Sequence, residues 1–339
     1  MEPAALNPYG VLPVVVFTLS WGGTVAAAAY ARRAGMLDLP GERHSHDRPT
    51  PRGGGAGPVL ALALCTPWIM PGSAASQFWN FSLLPGFALL ALVGWWDDRV
   101  SLSARVRFVA QLAGAGWLLV GTGFTGDHGI VLAFGALLAI VWMVNLYNFM
   151  DGSNGMAGAQ AVFAGGVLAW LFARAGEGGG SLFALSLAAA ALGFLPWNIT
   201  RRPRVFMGDV GSGPLGFVIA GLLAWGWHRE VMTLPVAWLV MLVFVCDSTL
   251  TLLTRVMKGE RWYTPHKQHL YQCLIQRGWT HGGVLALYQG LNGLLVLPAI
   301  AVAVNWPELA WSVAFAATVV LLVAWVQVKK KLGVLARAG

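Results

Sequence analysis

The chain is poor in charged residues and cysteines, and it has no long polar stretch. Only 11% of its 339 residues are Asp, Glu, Lys or Arg, while 57% are hydrophobic. A soluble domain needs a polar surface, and no segment is left over to form one. Three cysteines at unrelated spacings exclude a disulfide framework and a cysteine-rich metal site. The residues before the first apolar run carry one charge, Glu2, so they lack the basic segment of a cleavable signal, and we expect the first span to stay in the mature protein.

Long apolar runs account for most of the sequence. Each is close to the ~20 residues that cross a hydrocarbon core. They fall at residues 10–31, 54–70, 80–96, 105–122, 129–147, 156–175, 181–198, 212–228, 233–254, 283–304 and 309–327. These segments predict an all-α integral membrane protein, a single polytopic domain over 1–339 with about 10 to 11 transmembrane helices and catalytic loops on one face.

Basic residues cluster on that face of the predicted bundle. Of the 22 Lys and Arg, all but Arg174 and Arg229 fall in its loops or at the adjoining span ends. The positive-inside rule makes this face cytoplasmic. The formal charge of +8 lies in short loops beside apolar spans. This placement favours anionic lipid headgroups and anionic substrates as partners, and it argues against nucleic acid.

Two adjacent carboxylates, Asp97 and Asp98, end an apolar span. A charged residue at membrane depth costs roughly 2.5 to 3.5 kcal/mol on insertion scales, and such residues tend to mark ion or substrate pathways. The pair therefore indicates a functional site. An ordinary helix end is the alternative, in which nearby cations offset the acids: Arg99, Arg105 and Arg107.

Asn145, Asn148 and Asp151 are spaced three residues apart, so on a continuing helix their side chains share a face. Two carboxamides and a carboxylate suit a hard cation that keeps other ligand positions for water or phosphate. We expect Gly152 and Gly155 to end this helix. A plain Asn-Asp-Gly turn is the alternative.

Glycines surround one carboxylate, Asp209, where the segment from Phe206 to Gly213 opens into an apolar span. Such a segment lets backbone N–H groups approach an anion at a helix N-terminus. It lacks the Lys of a P-loop and follows no strand, which excludes a soluble nucleotide-binding fold of that kind. A membrane-entry turn of small residues is the alternative.

The basic loop 255–282 contains His266, Lys267 and His269. Zinc is disfavoured because Cys273 is the only further soft ligand nearby and a lysine lies between the histidines. Phosphate fits better, since imidazole and ammonium groups both donate to phosphate oxygens. A solvated loop attracted to lipid headgroups is the alternative. The first inner loop adds more residues that could face an anion: Arg43, His44, His46, Arg48 and Arg52.

Acids and amides for a cation, together with basic residues for phosphates, predict a phosphoryl-transfer site in which positioning and charge neutralisation supply most of the catalysis. The chain resembles the polyprenyl-phosphate N-acetylhexosamine-1-phosphate transferases, which include the phospho-N-acetylmuramoyl-pentapeptide transferase. Motifs in the family's order carry the resemblance over most of the chain: Pro49-Thr-Pro-Arg-Gly-Gly-Gly55, Gly94-Trp-Trp-Asp-Asp-Arg99, Asn145-Leu-Tyr-Asn-Phe-Met-Asp-Gly152, Phe206-Met-Gly-Asp-Val-Gly-Ser212, Asp247-Ser-Thr and His266-Lys-Gln-His-Leu-Tyr-Gln272.

The resemblance implies that a UDP-N-acetylhexosamine and undecaprenyl phosphate give UMP and a lipid-linked sugar pyrophosphate at the bacterial inner membrane. It implies bound magnesium, with manganese as the other candidate ion. Asn148 and Asp209 match the metal ligands, and Asp97 and Asp98 match the pair that handles the lipid phosphate. Asp97 is a candidate base, but a phosphate monoester is already largely ionised at pH 7, so a positioning role is equally open.

The remaining site residues also follow from the resemblance. Phe206 matches an aromatic residue that stacks on uracil. The sugar-phosphate loop is matched by His266, Lys267 and His269. Asp151 is a further catalytic candidate, and Arg52 and Asn154 are further substrate-binding candidates.

Two departures narrow the branch. Asn154 stands where many bacterial members have a second acid, so Asp151 need not be indispensable. The triple-His run of the pentapeptide branch is absent, which favours enzymes that start O-antigen or similar surface glycans. The identity of the hexosamine and the oligomeric state, including a homodimer, are left open. A transporter or flippase is the competing class, but it should show mid-span ionisable residues or matching halves, and apart from Asp247 near one span end the sequence shows neither.

Overall fold

The computed structural model describes residues 8–38, 49–68, 72–261, 264 and 266–334. These residues form fifteen α-helices and one antiparallel pair of short strands, β1 (Leu37–Asp38) and β2 (Thr50–Pro51). In chain order, α1 to α15 are Pro8–Arg33, Ala56–Cys65, Ala74–Gln77, Leu84–Val100, Ala104–Gly121, Phe124–Met150, Met156–Arg174, Gly178–Asn198, Asp209–His228, Leu234–Val240, Leu242–Met257, Leu270–Gln276, His281–Leu291, Leu297–Asn305 and Ala310–Lys331. Two π-helical segments, Phe78–Leu83 and Asn292–Val296, join α3 to α4 and α13 to α14.

The all-α, multi-pass architecture predicted from the sequence is confirmed. Within the described residues, eight helical stretches are long and apolar enough to cross a membrane, and the bent pair α10 and α11 makes a ninth if it is one span. All eleven predicted apolar segments lie largely on helices, but two of them are not among these nine. The segment 54–70 forms a shorter apolar helix, Ala56–Trp68, and 105–122 coincides with α5, which has Arg105 and Arg107 in its first turns.

Glycine lets several helices touch backbone to backbone. A Cβ added at Gly165 of α7 would lie 2.8 Å from the carbonyl oxygen of Ala184 in α8. A Cβ at Gly57 of α2 would lie 2.3 Å from Oγ1 of Thr24 in α1. Small residues at helix contacts are typical of membrane proteins, where association depends on close packing and not on the exclusion of water.

The break between α10 and α11 is supported by polar side chains. The two helices meet at Met241 with a bend of 79°. Gln160 of α7 donates to the carbonyl of Val240 at 3.3 Å, and Asn292 donates to Gln160 Oε1 at 2.7 Å. Because a backbone group released by a broken helix must find a partner inside a membrane, this buried amide network stabilises the bend.

Candidate active site

A short backbone pairing joins two of the sequence motifs, the one that begins at Pro49 and the one that begins at Phe206. The amide of Phe206 donates to the carbonyl of Pro51 at 2.8 Å, and the amide of Gly54 donates to the carbonyl of Phe206 at 2.8 Å. This parallel bridge places Arg52 beside Phe206. It also sets Gly55 against Gly211 in the first turn of α9, where an added Cβ would come within 2.4 Å of the Gly211 Cα.

Asp98 closes the N-terminus of α9. Its side chain is fully buried, and it accepts hydrogen bonds from the amides of Asp209 (2.9 Å) and Val210 (3.1 Å). Arg52 Nε donates to Asp98 Oδ1 at 2.7 Å. The sequence predicted an anion at this helix start, and the structure supplies one from α4, because these first N–H groups lack partners within α9. Asp98 therefore positions the helix that begins with Asp209.

Asp97 and Asp209 share a cation. Arg107 Nη1 lies 2.9 Å from Asp97 Oδ2 and 3.3 Å from Asp209 Oδ2. Asp97 also accepts the amide of Leu102, just beyond the end of α4. The other oxygen of Asp209 accepts from Arg52 Nη2 at 3.3 Å. Two guanidinium groups therefore join the carboxylates of α4 to the carboxylate of α9.

The carboxylates and guanidinium groups just described form one cluster. Asn148 belongs to this cluster, whereas Asn145 does not contact it directly. Asn148 Nδ2 donates to Asp209 Oδ1 and to Ser212 Oγ, both at 2.8 Å. Asn145 exchanges hydrogen bonds with Gln111 of α5, at 2.6 and 3.3 Å. The helix α6 ends at Met150, as the following glycines predicted. The shared face predicted for this spacing thus divides into one residue at the cluster and one at a neighbouring helix.

A cavity of about 100 Å³ opens at this cluster between α4, α5, α6 and α9. Arg107, Asn148 and Asp209 of the cluster line it. Gln111 and Asn145 also line it, and the rest of the lining is apolar: Leu90, Val93, Gly94, Ala104, Val144, Phe149 and Gly213. The lining of this cavity thus combines charged and amide side chains with apolar ones.

Carboxylates outnumber arginines at the cluster. Among the described residues, Asp97, Asp98 and Asp209 contact two guanidinium groups, from Arg52 and Arg107. Burial raises the pKa of the adjacent Asp151 well above its usual range, and the charge of Asp209 raises it further, against an opposing effect of Arg52. An anionic phosphate needs additional positive charge to bind here.

The donor set fits a hard divalent cation. Among the described residues, no three His, Cys, Asp or Glu side chains converge as metal ligands. Mg²⁺ is ordinarily held by one or two carboxylates together with substrate phosphates and water. Asp209 supplies a carboxylate of that kind, and Asn148, whose Nδ2 faces Asp209 in this structure, would add its amide oxygen by turning the amide group. The positive charge of the ion would offset the excess of acids.

Residues 266–269, the histidine segment, lie beside the end of α6. The ring of His269 is 5.9 Å from the ring of Phe149, the residue after Asn148, and 4.9 Å from the ring of His266. His269 is buried, and within the described chain its Nδ1 has no hydrogen-bond partner. Lys267 lies between the two histidines and is half-buried.

Both histidines are neutral at physiological pH. The pKa of His266 is lowered to about 3, mainly by burial and also by the nearby His269 and Arg255. Burial also lowers the pKa of His269, although Asp247 opposes the shift. Because His266 Nδ1 accepts the amide of Gln268 at 3.3 Å, we assign its proton to Nε2. His266 therefore offers one neutral donor to a ligand, and not the positive charge that a protonated imidazole would provide.

Asn154 lies apart from the carboxylate cluster. It is buried, and its Nδ2 donates to the carbonyl of Thr200 at 3.0 Å. In this structure its side chain ties the turn after α6 to the loop before α9. Arg43, His44, His46 and Arg48, which were expected to face an anion, lie outside the described residues.

Sequence reasoning treated Arg107 only as a charge that offsets the acids. Its contacts with Asp97 and Asp209 make it central, whereas Arg99, the immediate neighbour of the acids, stacks on Trp95 at 4.0 Å. Ser212 was quoted within a motif but given no role. The one available signal was the position of Arg107 at the start of a span, on the same predicted face as the acids.

The sequence of this chain is similar to known proteins across the residues of the site. The model of the glycosyl transferase family 4 matches residues 80–227, a range that contains Asp97, Asn148 and Asp209. A decaprenyl-phosphate N-acetylglucosaminephosphotransferase of Mycobacterium tuberculosis is 30% identical over 335 residues, covering 87% of this chain and 82% of that protein. The chain belongs to glycosyl transferase family 4.

Two further relatives have the same kind of name. A probable undecaprenyl-phosphate N-acetylglucosaminyl 1-phosphate transferase of Bacillus subtilis is 29% identical over 281 residues, covering 76% of this chain and 75% of the relative. An undecaprenyl-phosphate alpha-N-acetylglucosaminyl 1-phosphate transferase of Escherichia coli is 24% identical over 276 residues, covering 75% and 73%. The family resemblance predicted from the motifs is confirmed, and it favours a sugar-1-phosphate transferase over a transporter or flippase.

Proposed function

We propose that this protein transfers N-acetylglucosamine 1-phosphate from UDP-N-acetylglucosamine to undecaprenyl phosphate. An oxygen of the lipid phosphate forms a bond to the β-phosphorus of the sugar nucleotide. The bond from that phosphorus to the oxygen bridging to the α-phosphate breaks, and UMP leaves. The observation that carries the proposal is the junction of Asp209 with Arg52, Arg107 and Asn148 beside a cavity that apolar side chains of α4 and α6 also line.

The cavity suits the lipid acceptor. Its lining offers Arg107 to a phosphate, and Leu90, Val93 and Val144 offer apolar contacts to the first part of a polyprenyl chain. Asp97 holds Arg107 from the opposite side at 2.9 Å, so it orients the guanidinium toward the phosphate. This arrangement supports a positioning role for Asp97, because the lipid phosphate is already largely ionised at pH 7.

Asp209 and Asn148 would hold magnesium, with manganese as the other candidate ion. When bound, the metal neutralises phosphate charge and polarises the phosphorus that is attacked. Asp98 and Arg52 do not bind the metal in this proposal. They fix the first turn of α9, and with it the carboxylate of Asp209.

The sugar nucleotide binds between the histidine segment and Phe206. The half-buried Phe206 stacks on uracil, while His266, Lys267 and His269 donate to the phosphates. A neutral His266 needs no proton from solvent to serve as a donor. Burial and neighbouring acids disfavour the charged form of Asp151, beside the end of α6. A cation bound nearby would favour that charged form.

The cellular setting follows from charge and topology. The topology predicted from the sequence puts all but two of the Lys and Arg residues on the face that holds the cluster, and the positive-inside rule makes that face cytoplasmic in a bacterial inner membrane. Names of the relatives support N-acetylglucosamine and a C50 or C55 polyprenyl phosphate as the substrates. We place the reaction at the first membrane step of O-antigen or related surface glycan synthesis.

The test is turnover by the purified protein in lipid nanodiscs. Undecaprenyl phosphate is supplied with magnesium and, in parallel, with UDP-N-acetylglucosamine, UDP-N-acetylgalactosamine or UDP-glucose, and UMP release is followed. We expect release only when lipid phosphate, metal and an N-acetylhexosamine donor are all present, fastest with N-acetylglucosamine. UMP release that does not depend on the lipid, or none with any donor, would sink the proposal.

A further inference from the structure

Asp247 is a buried carboxylate that the proposed reaction does not use. It lies in α11 and is only 2% exposed. It accepts hydrogen bonds from the Leu270 amide (2.7 Å), the Tyr288 hydroxyl (2.7 Å) and the Trp325 indole (2.9 Å). Longer contacts come from the Thr251 hydroxyl and the Tyr271 amide, at 3.3 and 3.5 Å. Within the described chain, no Lys or Arg lies within ion-pairing distance of it.

These contacts join four helices at one point. The donors come from α11 itself, from the first turn of α12, and from α13 and α15. Leu270 and Tyr271 are the first residues of α12, so their amides are free of partners inside that helix. Asp247 therefore holds the start of α12, as Asp98 holds the start of α9. A carboxylate in a membrane span is costly and tends to be kept for function.

The start of α12 is linked in turn to the cluster of acids and amides. The Tyr271 hydroxyl donates to the carbonyl of Phe149 at 2.9 Å, and Phe149 follows Asn148 directly. The ring of His269 lies 5.9 Å from each of the rings of Phe149 and Tyr271. A Cβ on Gly152 would lie 2.1 Å from the Tyr271 hydroxyl, so Tyr271 packs directly against the backbone of Gly152. The place of the histidines relative to Asn148 thus depends on where α12 begins.

We propose that Asp247 is a positioning residue for the transfer reaction, because it fixes the start of α12 and so holds His266 and His269 at a set place beside Asn148. The inference rests on the proposed function and adds a residue to it. Asp247 acts through the histidine segment, and it touches neither substrate. Its loss should therefore change the use of the sugar nucleotide and leave the use of the lipid phosphate as it was.

The kinetic test uses Asp247→Asn, which keeps the shape of the side chain and removes its charge. The matched control is Tyr288→Phe, which removes one donor to Asp247 but leaves both amides of α12 capped. We expect Asp247→Asn to lower kcat/KM for the UDP-sugar by about tenfold or more, with an unchanged KM for undecaprenyl phosphate. Tyr288→Phe should stay within about twofold of the wild type.

A double-mutant cycle separates positioning from general stability. If Asp247 acts through the histidines, His266→Ala should cost much less in the Asp247→Asn background than in the wild type. Effects that multiply, or equal losses for both substrates that track a lower melting temperature, would overturn the proposal and leave Asp247 as a core residue only.

Hydrogen exchange tests the same inference without turnover. Asp247→Asn should speed amide exchange in peptides covering 270–276 and leave 209–228 at the wild-type rate. Unchanged exchange at 270–276 would contradict the capping role. If the wild type shows no transfer but this exchange pattern appears, the proposed function fails while the structural part of the inference holds.

Discussion

Asp97 and Asp98 are adjacent in sequence but have different partners. Asp98 is saturated by two backbone amides and Arg52, whereas Asp97 holds Arg107 at the cavity. The sequence identified the pair as functional but assigned both residues to one role. Their roles could not be separated from the sequence, because the amides that occupy Asp98 lie more than a hundred residues away. Arg99 was the nearest cation in sequence, yet it stacks on Trp95.

Asp209 contacts Arg52, Arg107 and Asn148 together. In Asp209→Asn, an amide NH₂ group takes the place of one oxygen, so the site loses a metal ligand. The new N–H groups also face the N–H donors of the two arginines and Asn148. We expect kcat to fall by at least about a hundredfold, or roughly 2.7 kcal/mol of barrier, while the melting temperature changes little.

Asp127→Asn is the matched control, since Asp127 is an exposed acid near the other end of α6. It should leave turnover unchanged. Near-normal turnover of Asp209→Asn at saturating magnesium would remove Asp209 from the metal site.

His266 should make folding stability depend on pH. Its pKa is about 3 when folded and 6.5 in an unfolded chain. The unfolded state therefore takes up a proton first as the pH falls, and the stability present above pH 6.5 is lost progressively between 6.5 and 3. Melting curves of His266→Gln over this range should fall less steeply than those of the wild type.

Lys267→Gln serves as the control for this experiment, because it changes the neighbouring residue and leaves His266 in place. Its melting temperature should follow the wild-type curve. Identical pH dependence of His266→Gln and the wild type would show that His266 is not held neutral by burial.

At the scale of elements, the site depends on how closely α4 approaches α9. A Cβ on Gly94 would lie 2.2 Å from the carbonyl oxygen of Asp209, a backbone atom that cannot move alone. Gly94→Ala should push the helices apart, weaken the hold of Asp98 on α9, and cost about 1 to 3 kcal/mol as well as most of the activity. Melting temperature and UMP release measured together check this.

Gly116→Ala on α5 is the matched control, because a Cβ there meets nothing within 4 Å. It should be neutral or stabilising by up to about 1 kcal/mol. Equal behaviour of the two variants would show that the α4 and α9 contact does not limit the site.

Hydropathy located helices well and their breaks poorly. The predicted span 181–198 nearly coincides with α8, Gly178–Asn198, while 233–254 turned out to be two helices bent by 79°. Composition along a window carries no information on the bend, since the side chain that satisfies the freed carbonyl is Gln160, far away in sequence. The same limit hid the links from Asp247 to α12, α13 and α15.

For the whole molecule, the proposed orientation rests on the distribution of Lys and Arg. Single cysteines test it in a background that lacks the buried Cys65, Cys246 and Cys273. Arg202→Cys, exposed in the loop that leads into α9, should react with an impermeant maleimide only after the membrane is opened. Ala175→Cys, exposed after the end of α7, should react in intact cells. The reverse pattern would place the site on the outer face.

The most direct test of the account follows the β-phosphorus of the sugar nucleotide. UDP-N-acetylglucosamine labelled at the β-phosphorus, or separately at the α-phosphorus, is incubated with undecaprenyl phosphate, magnesium and the protein in nanodiscs. Transfer of sugar 1-phosphate predicts that the β label enters the lipid and the α label leaves as UMP. If the sugar reaches the lipid while both labels leave together as UDP, the bond broken is the glycosidic one, and the central claim is wrong.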